Sequence, residues 1–231
     1  MRDQLSVVAS LLGDPGRAAI LLSLMSGAAL PAGELAAIAN VAPQTASGHL
    51  ARLVEGGLLQ SEHQGRHRYY RLSSAEVADA IEALLLLTAR PQSSRDAANA
   101  QKRATGSLAY ARTCYAHLAG WLGVHITREL ELRGLLVASG RKSYALPASG
   151  QDWFESLGVQ VPSWEGNPEK LARRCLDWTE RRHHLAGTLG AALFKRLHEL
   201  HWVAPIPGSR AVRVTVEGKR RLWELLRLPI G

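Results

Sequence analysis

The sequence predicts a mainly α-helical fold with short β-hairpin wings. One helix–helix–hairpin unit fills the first ninety residues, and a C-terminal domain of two duplicated helix–wing–helix units follows. Three observations predict it. Apolar residues recur at helical spacing through most of the chain. Short alternating segments tipped by Gly-Arg or Gly-Ser-Arg follow three of the helical stretches. The pattern His-Leu-Ala-Gly-x-Leu-Gly occurs twice, from His117 and from His184, with six of its seven positions identical.

In the first ninety residues, Leu5 to Leu12 is apolar at helical spacing, and "GDPGRAAILLSL" breaks and restarts the helix. Asp14 is placed to cap the second helix, with Pro15 at its first position. Ile20, Leu21 and Leu24 continue its apolar face. A short helix from about Ala32 to Ala39 follows, then a tight turn around Asn40. Pro43 opens the next helix, Ala46, Leu50, Leu53 and Val54 form its buried face, and Gly56-Gly57 ends it. Two short helices joined by a small-residue turn make a helix-turn-helix, whose second helix enters the major groove of DNA. "LLQSEHQGRHRYYRL" then alternates as a hairpin with Gly65 at its tip and Arg66, Arg68 and Arg71 beside Tyr69 and Tyr70. A basic hairpin there is a wing suited to the phosphate backbone or an adjacent minor groove. "SSAEVADAIEALLLLTAR" closes the unit as an amphipathic helix with a Ser cap. Residues 1–90 thus read as a winged helix-turn-helix DNA-binding domain, 91–112 as a linker or surface helix, and 113–231 as a sensing or dimer-supporting domain.

The motifs "GDPGRAAIL", "GELA", "TASGHLARLVEGGLL" and "GRHRYYRL", in this order over roughly residues 5–88, resemble the ArsR-type winged-helix repressors. The resemblance implies a homodimer joined through its first and last helices, with ligand binding coupled to release from operator DNA. It also implies that Gln44, Thr45, Ser47 and His49 face the groove with Arg52 nearby, and that the wing arginines Arg66 and Arg68 lie on phosphate. The metal sites of that family do not carry over. "GELAAIAN" holds no cysteine, and the closing helix offers Asp79 and Glu82 but no histidine.

Beyond residue 112, Leu118, Leu122, Ile126 and Leu130 match Leu185, Leu189, Leu193 and Leu197 as one helical stripe per copy. Each stripe leads into a strand, a glycine turn, a second strand and a helix that starts at a glycine. The first domain shares the order, since Leu53, Gly57, Leu58 and Leu59 answer Leu130, Gly134, Leu135 and Leu136. A helix–wing–helix unit is therefore expected three times, with the two C-terminal copies packed as a pseudo-symmetric pair. A histidine duplicated inside a duplicated unit reads first as structural, bonding a carbonyl or capping a helix. The alternative is a metal or redox centre of Cys114, His117, Cys175 and His184, since thiolate and imidazole together suit zinc, copper or haem iron. Cys114-x-x-His117 has the spacing of one helix face, and an ungapped alignment sets Cys114 against Arg181, so that the cysteines do not repeat with the histidines. All six Trp lie beyond residue 112, where Trp178 and Trp202 are candidates for lining a pocket for a flat ligand as well as for the core.

Net charge is +8, unevenly placed. Residues 1–90 carry seven basic and eight acidic residues, whereas residues 91–231 carry 21 basic and 12 acidic, a balance that favours an anionic partner such as nucleic acid. Two cysteines are too few for a disulfide scaffold and fit a cytoplasmic setting. Ala18 to Ala32 has the length of a secretory apolar run, but Asp3 and Asp14 interrupt its approach, and no uncharged apolar run is long enough for a membrane span. No nucleotide loop, carboxylate pair or nucleophile motif marks an enzyme. The function expected is a sequence-specific DNA-binding transcriptional regulator, an effector-responsive repressor acting as a homodimer, with double-stranded operator DNA as partner and an effector whose identity stays open. DNA binding needs no cofactor in this reading, and a metal is one option for the cysteines. An effector-independent architectural DNA-binding protein and a thiol or metal sensor or carrier are the alternatives.

Overall fold

A computed structural model describes residues 2–65, 67–88, 107–161 and 168–230. They form two compact units, Met1–Ile81 and Glu82–Gly231. In the first, α1 (Arg2–Leu12) is followed by α2 (Pro15–Ser23), β1 (Leu30–Pro31), α3 (Ala32–Ala39) and α4 (Pro43–Glu55). Then come β2 (Leu59–Gln64), β3 (His67–Leu72) and α5 (Ala75–Thr88), within which the unit boundary falls. The α1–α2 corner is built from both sides. Asp14 accepts a hydrogen bond from Arg17 N at 2.8 Å as the α2 N-cap. The buried Arg17 guanidinium donates back to the Leu11 and Ser10 carbonyls at 2.8 and 2.7 Å, satisfying the C-terminus of α1. Asn40 adopts φ 52° and ends α3, so that α4 leaves at a new angle. Ile20, Leu21, Leu24, Leu35, Leu50, Leu53 and Leu72 are buried in the unit's apolar core. The wing pairs β2 with β3 from Leu59↔Leu72 to Gln64↔His67, and β1 adds a third strand at Leu30↔Tyr70.

The second unit contains two copies of one chain path. The first copy is β4 (Arg112–Cys114), β5 (His117–Ala119), α6 (Gly120–Leu132), β6 (Val137–Ser139), β7 (Ser143–Ala145) and α7 (Ala148–Ser156). A short α8 (Pro168–Leu171) precedes the second, which is β8 (Arg173–Leu176), β9 (His183–Ala186), α9 (Gly187–Glu199), β10 (Val203–Pro205), β11 (Val212–Val214) and α10 (Val216–Leu226). Helix–hairpin–helix therefore occurs three times, as α4–β2–β3–α5, α6–β6–β7–α7 and α9–β10–β11–α10. One backbone feature is common to all three. The residue closing the first helix of each lies in the left-handed region, Gly57 at φ 72°, Gly134 at 67° and His201 at 56°.

The copies exchange edges. The wing of the first pairs with the leading strand of the second through Tyr144 N→Ala172 O and Arg174 N→Lys142 O, both 2.8 Å. The wing of the second returns the contact through Val212 N→Ala111 O and Thr113 N→Arg210 O, at 2.8 and 2.9 Å. Helix α6 packs on β9, and α9 packs on β5. The matched stripes Leu118, Leu122, Ile126, Leu130 and Leu185, Leu189, Leu193, Leu197 meet in a single core.

Several expectations change. Cys114-x-x-His117 is not helical: β4 and β5 form a hairpin whose turn holds Tyr115 at φ 58°, and Cys114 pairs directly with His117. Cys175 pairs with His184 in the same way across β8 and β9. The cysteines are thus duplicated with the histidines, in Arg112-Thr113-Cys114 and Arg173-Arg174-Cys175, and Arg181 is not the counterpart of Cys114. The ungapped alignment missed this because two residues separate Cys114 from His117 while eight separate Cys175 from His184. The closing helices begin at Ala148 and Val216, two residues before their glycines. Of the segment 91–112, residues 91–106 lie outside the described residues, and its end, Tyr110 to Arg112, is buried. Among the described residues, no single helix is long and apolar enough to cross a membrane.

Each residue of the repeated motif has a duty. The leucines fill the core, and Ala119 and Ala186 are fully buried beside the two cysteines. Gly120 and Gly187 both sit at φ 78°, where the chain turns from strand into helix against a preceding carbonyl. At Gly123 a Cβ would lie 2.4 Å from Leu118 O and 3.7 Å from His184 Cβ. At Gly190 it would lie 2.5 Å from Leu185 O and 3.3 Å from His117 Cβ. Gly123→Ala and Gly190→Ala are each expected to destabilise the second unit by about 1–3 kcal/mol or more, because backbone must move to admit a methyl group. Urea unfolding of the full chain measures this, and a neutral result at either site would contradict the close approach.

Candidate functional sites: a polar helix face with its wing, and a buried cysteine–histidine centre

Two places in the molecule carry the residues that the sequence singles out. On α4, Ala46, Leu50 and Leu53 are buried, which leaves Gln44, Thr45, Ser47 and Arg52 exposed on the other side. The Ser47 hydroxyl bonds the Pro43 carbonyl at 3.0 Å, one turn back along its own helix. His49 is half-buried, with Nε2 3.6 Å from Asp14 Oδ1, so its ring leans on the start of α2. On the wing, exposed Arg68 donates to Ser61 Oγ at 3.0 and 2.8 Å and lies over the Tyr70 ring, while Arg71 faces Glu62 at 3.6 Å. Arg66 lies outside the described residues.

The second place is the axis between the two repeats. Cys114, His117, Cys175 and His184 converge there, all buried, with one donor atom of each within 4.8 Å of the others. His117 Nε2 and His184 Nε2 stand 3.0 Å apart. The histidines neither cap helices nor seek carbonyls through these nitrogens; they point at each other. His184 Nδ1 lies 3.3 Å from Asp177 Oδ2. Asp177 is held in turn by Arg112 Nη2 at 3.0 Å, Gly120 N at 2.7 Å, and the Thr179 hydroxyl and amide at 2.6 and 2.9 Å. Arg112 also reaches Glu82 Oε2 at 3.6 Å and stacks over the Trp178 ring at 4.9 Å. Glu82 Oε1 accepts from Arg210 at 3.1 Å.

These contacts set the charges. The hydrogen bond from Cys114 holds the Cys175 thiol well below its usual range, with the nearby His184 charge and bonds from both imidazoles adding to it. The same bond, with burial, pushes Cys114 well above that range. Burial opposes the charge on His184, yet the Cys175 thiolate and Asp177 raise it to about 9. Burial lowers His117. Burial also disfavours the Asp177 carboxylate, but His184 and Arg112 hold it well below its usual range. Chemically the four side chains are a Cys2His2 donor set with one carboxylate behind it.

Sequence reasoning named the four donors and missed their support. Asp177 and Arg210 carry no motif, Glu82 stands on the closing helix without a histidine partner, and Arg112 begins the repeated Arg-x-Cys. The repeated Arg-x-Cys before each motif was the available signal. The candidate ligand-pocket residues Trp178 and Trp202 are placed separately. Trp202 is buried, and the crevice it lines with Ile126, Trp153 and Leu193 has about 10 Å³ of free volume. That is roughly the room one water needs, and Trp178 does not line it.

Residues 12–62 match the helix-turn-helix domain family. The chain is 42% identical over 219 residues to the uncharacterised HTH-type transcriptional regulator YdfF of Bacillus subtilis, spanning 95% of both proteins. Among solved structures it is similar to HlyU of Vibrio cholerae, at 28% identity over 38% of this chain and 96% of that one, with a TM-score of 0.35. It is also similar to a homodimeric winged helix-turn-helix domain, Mb0332 of Mycobacterium bovis, described as a possible ArsR-family regulator. That match has 27% identity over 37% of this chain and 79% of the other, with a TM-score of 0.35.

Among the described residues, Arg112 is placed against both Asp177 and Glu82, and its side chain is fully buried. Arg112→Ala is expected to cost about 3–5 kcal/mol, because two buried carboxylates would lose a partner. Denaturant unfolding checks it, and a loss below about 1 kcal/mol, the range of an exposed pair, would show that the network is not a buried one in solution.

Proposed function

Because this chain belongs to the HTH-type transcriptional regulators, we propose that it is an effector-responsive repressor of the ArsR type, binding operator DNA as a homodimer in the cytoplasm without catalysing a reaction. The observation that carries the reading is the division of α4, one face packed on the core and the other presenting Gln44, Thr45, Ser47 and Arg52. Short polar side chains on an exposed second helix suit base edges in the major groove. His49 borders that face, and Arg66 and Arg68 on the wing are assigned to phosphate. Exposed apolar side chains support self-association through the first and last helices of the winged unit. Leu5 is 74% exposed on α1 and Leu87 82% exposed on α5. The effector acts on the second unit in this proposal, by binding one of two conformations more tightly.

Gln44→Ala or Thr45→Ala is expected to weaken operator binding by about 1–3 kcal/mol and to relax sequence preference, as loss of a base contact does. Selection of binding sites from random DNA reads both effects, and unchanged preference in both variants would remove α4 from the bases. Arg68→Ala is expected to weaken specific and nonspecific binding alike and to lower the salt slope by roughly one. A salt series on one operator fragment decides whether the wing touches phosphate.

Self-association has its own test. Leu5→Glu combined with Leu87→Glu is expected to shift the protein from dimer to monomer in analytical ultracentrifugation. A dimer that survives both charges would place the interface elsewhere.

A further inference from the structure

We propose that Cys114, His117, Cys175 and His184 bind one divalent transition-metal ion, zinc foremost, in a closed tetrahedral site on the axis relating the two repeats. Each repeat contributes one thiol and one imidazole from facing positions of one hairpin, Cys114↔His117 and Cys175↔His184. A tetrahedral ion with sulfurs at ~2.3 Å and nitrogens at ~2.0 Å separates its donors by roughly 3.3–3.8 Å. Here the two nitrogens are 3.0 Å apart and the whole set lies within 4.8 Å, so small side-chain adjustments suffice.

Charge selects the ion. Glu82 and Asp177 are matched by Arg112 and Arg210. The centre must therefore be neutral by itself if burial is not to be costly. Two thiolates and two neutral imidazoles around a divalent ion are neutral, whereas a monovalent ion leaves a net negative charge in the buried centre. The donor types agree, since thiolate and imidazole together suit zinc and are a poor match for magnesium or calcium. Four protein donors leave no open position, the pattern of an ion that holds structure together.

Asp177 supplies the surrounding shell. Asp177 Oδ2 stands 3.3 Å from His184 Nδ1 while Nε2 faces His117, and a carboxylate behind a metal-bound histidine is a recurring arrangement. Neither a purely structural role nor a thiol switch accounts for the whole set. Apolar side chains would pack beside Ala119 and Ala186 without burying four polar groups. A disulfide between the cysteines would leave unexplained two imidazoles aimed at each other.

The test uses the full-length protein, reduced and stripped with a chelator, then titrated with Co²⁺ and Zn²⁺. The expected result is one ion per chain, tetrahedral ligand-field bands and thiolate-to-cobalt charge transfer, displacement of cobalt by zinc, and a raised unfolding midpoint. Cys114→Ser and Cys175→Ser should each diminish the charge-transfer band. His183→Ala, beside the centre but outside it, should leave the titration unchanged. Asp177→Asn should keep the cobalt spectrum while weakening affinity about 10–100-fold, as loss of a positioning residue does. If a cysteine variant does not fold, the stoichiometry and spectrum of the unaltered protein still decide. Stripped protein that unfolds cooperatively yet takes up no stoichiometric cobalt would overturn the site. So would a Cys114–Cys175 disulfide in protein isolated anaerobically, seen as a mass two hydrogens lighter. Operator binding is measured on the same samples, so failure of the metal site and failure of the DNA-reading proposal are told apart.

Discussion

The second unit depends on the exchange of strand edges between its repeats. Each wing bonds the leading strand of the other copy, and four backbone hydrogen bonds of 2.8 to 2.9 Å, two per copy, repeat the same geometry. A short strand cannot stand alone, because its unpaired backbone groups and its single apolar face both need cover. Exchange meets both needs at once and fixes a pseudo-twofold relation. His117 and His184 lie where that relation brings equivalent residues together, 3.0 Å apart at Nε2, and Gly123 and Gly190 clear the space on either side of them.

Symmetry ends at the connection between cysteine and histidine. The first repeat turns in two residues, while the second uses eight, and the longer loop carries Asp177. Only His184 therefore has a carboxylate behind it from this loop. The same carboxylate bonds the Gly120 amide at the start of α6, so the loop of one repeat also secures the strand-to-helix turn of the other. Arg112 ties this group to Glu82, the first residue of the second unit. The polar interior is thus one connected set of charges, and pairing each of them is what makes its burial tolerable.

The basic excess of the C-terminal region looks different once partners are assigned. Arg112 and Arg210 are buried counter-ions. Arg220 and Arg221 pair with Glu217 and Glu224 along α10, and Arg196 donates to the Leu157 carbonyl. Part of the positive charge serves the fold, so net charge overstates what is free for an anionic partner. DNA reading is better argued from the exposed face of α4 and its wing than from the isoelectric point.

Local patterning determined the elements of this protein. Helical periodicity, the Asp14-Pro15 cap, the Asn40 turn and the glycine-tipped hairpins are short-range signals, and each needs only neighbours in sequence to act. The triple use of helix–hairpin–helix was legible for the same reason, as was the membership of Cys114, His117, Cys175 and His184 in one candidate set. Tertiary structure alone decided how they meet. Cys114 and His117 oppose each other across a strand pair where their spacing fits a helix equally well, since three residues span one helical turn or one tight hairpin. The correspondence of the two cysteines was hidden by a six-residue difference in loop length, which backbone register resolves and residue counting does not. Asp177, Arg210 and Glu82 were illegible because a buried ion pair is set by which elements pack together, whereas Arg112 left a trace in the repeated Arg-x-Cys.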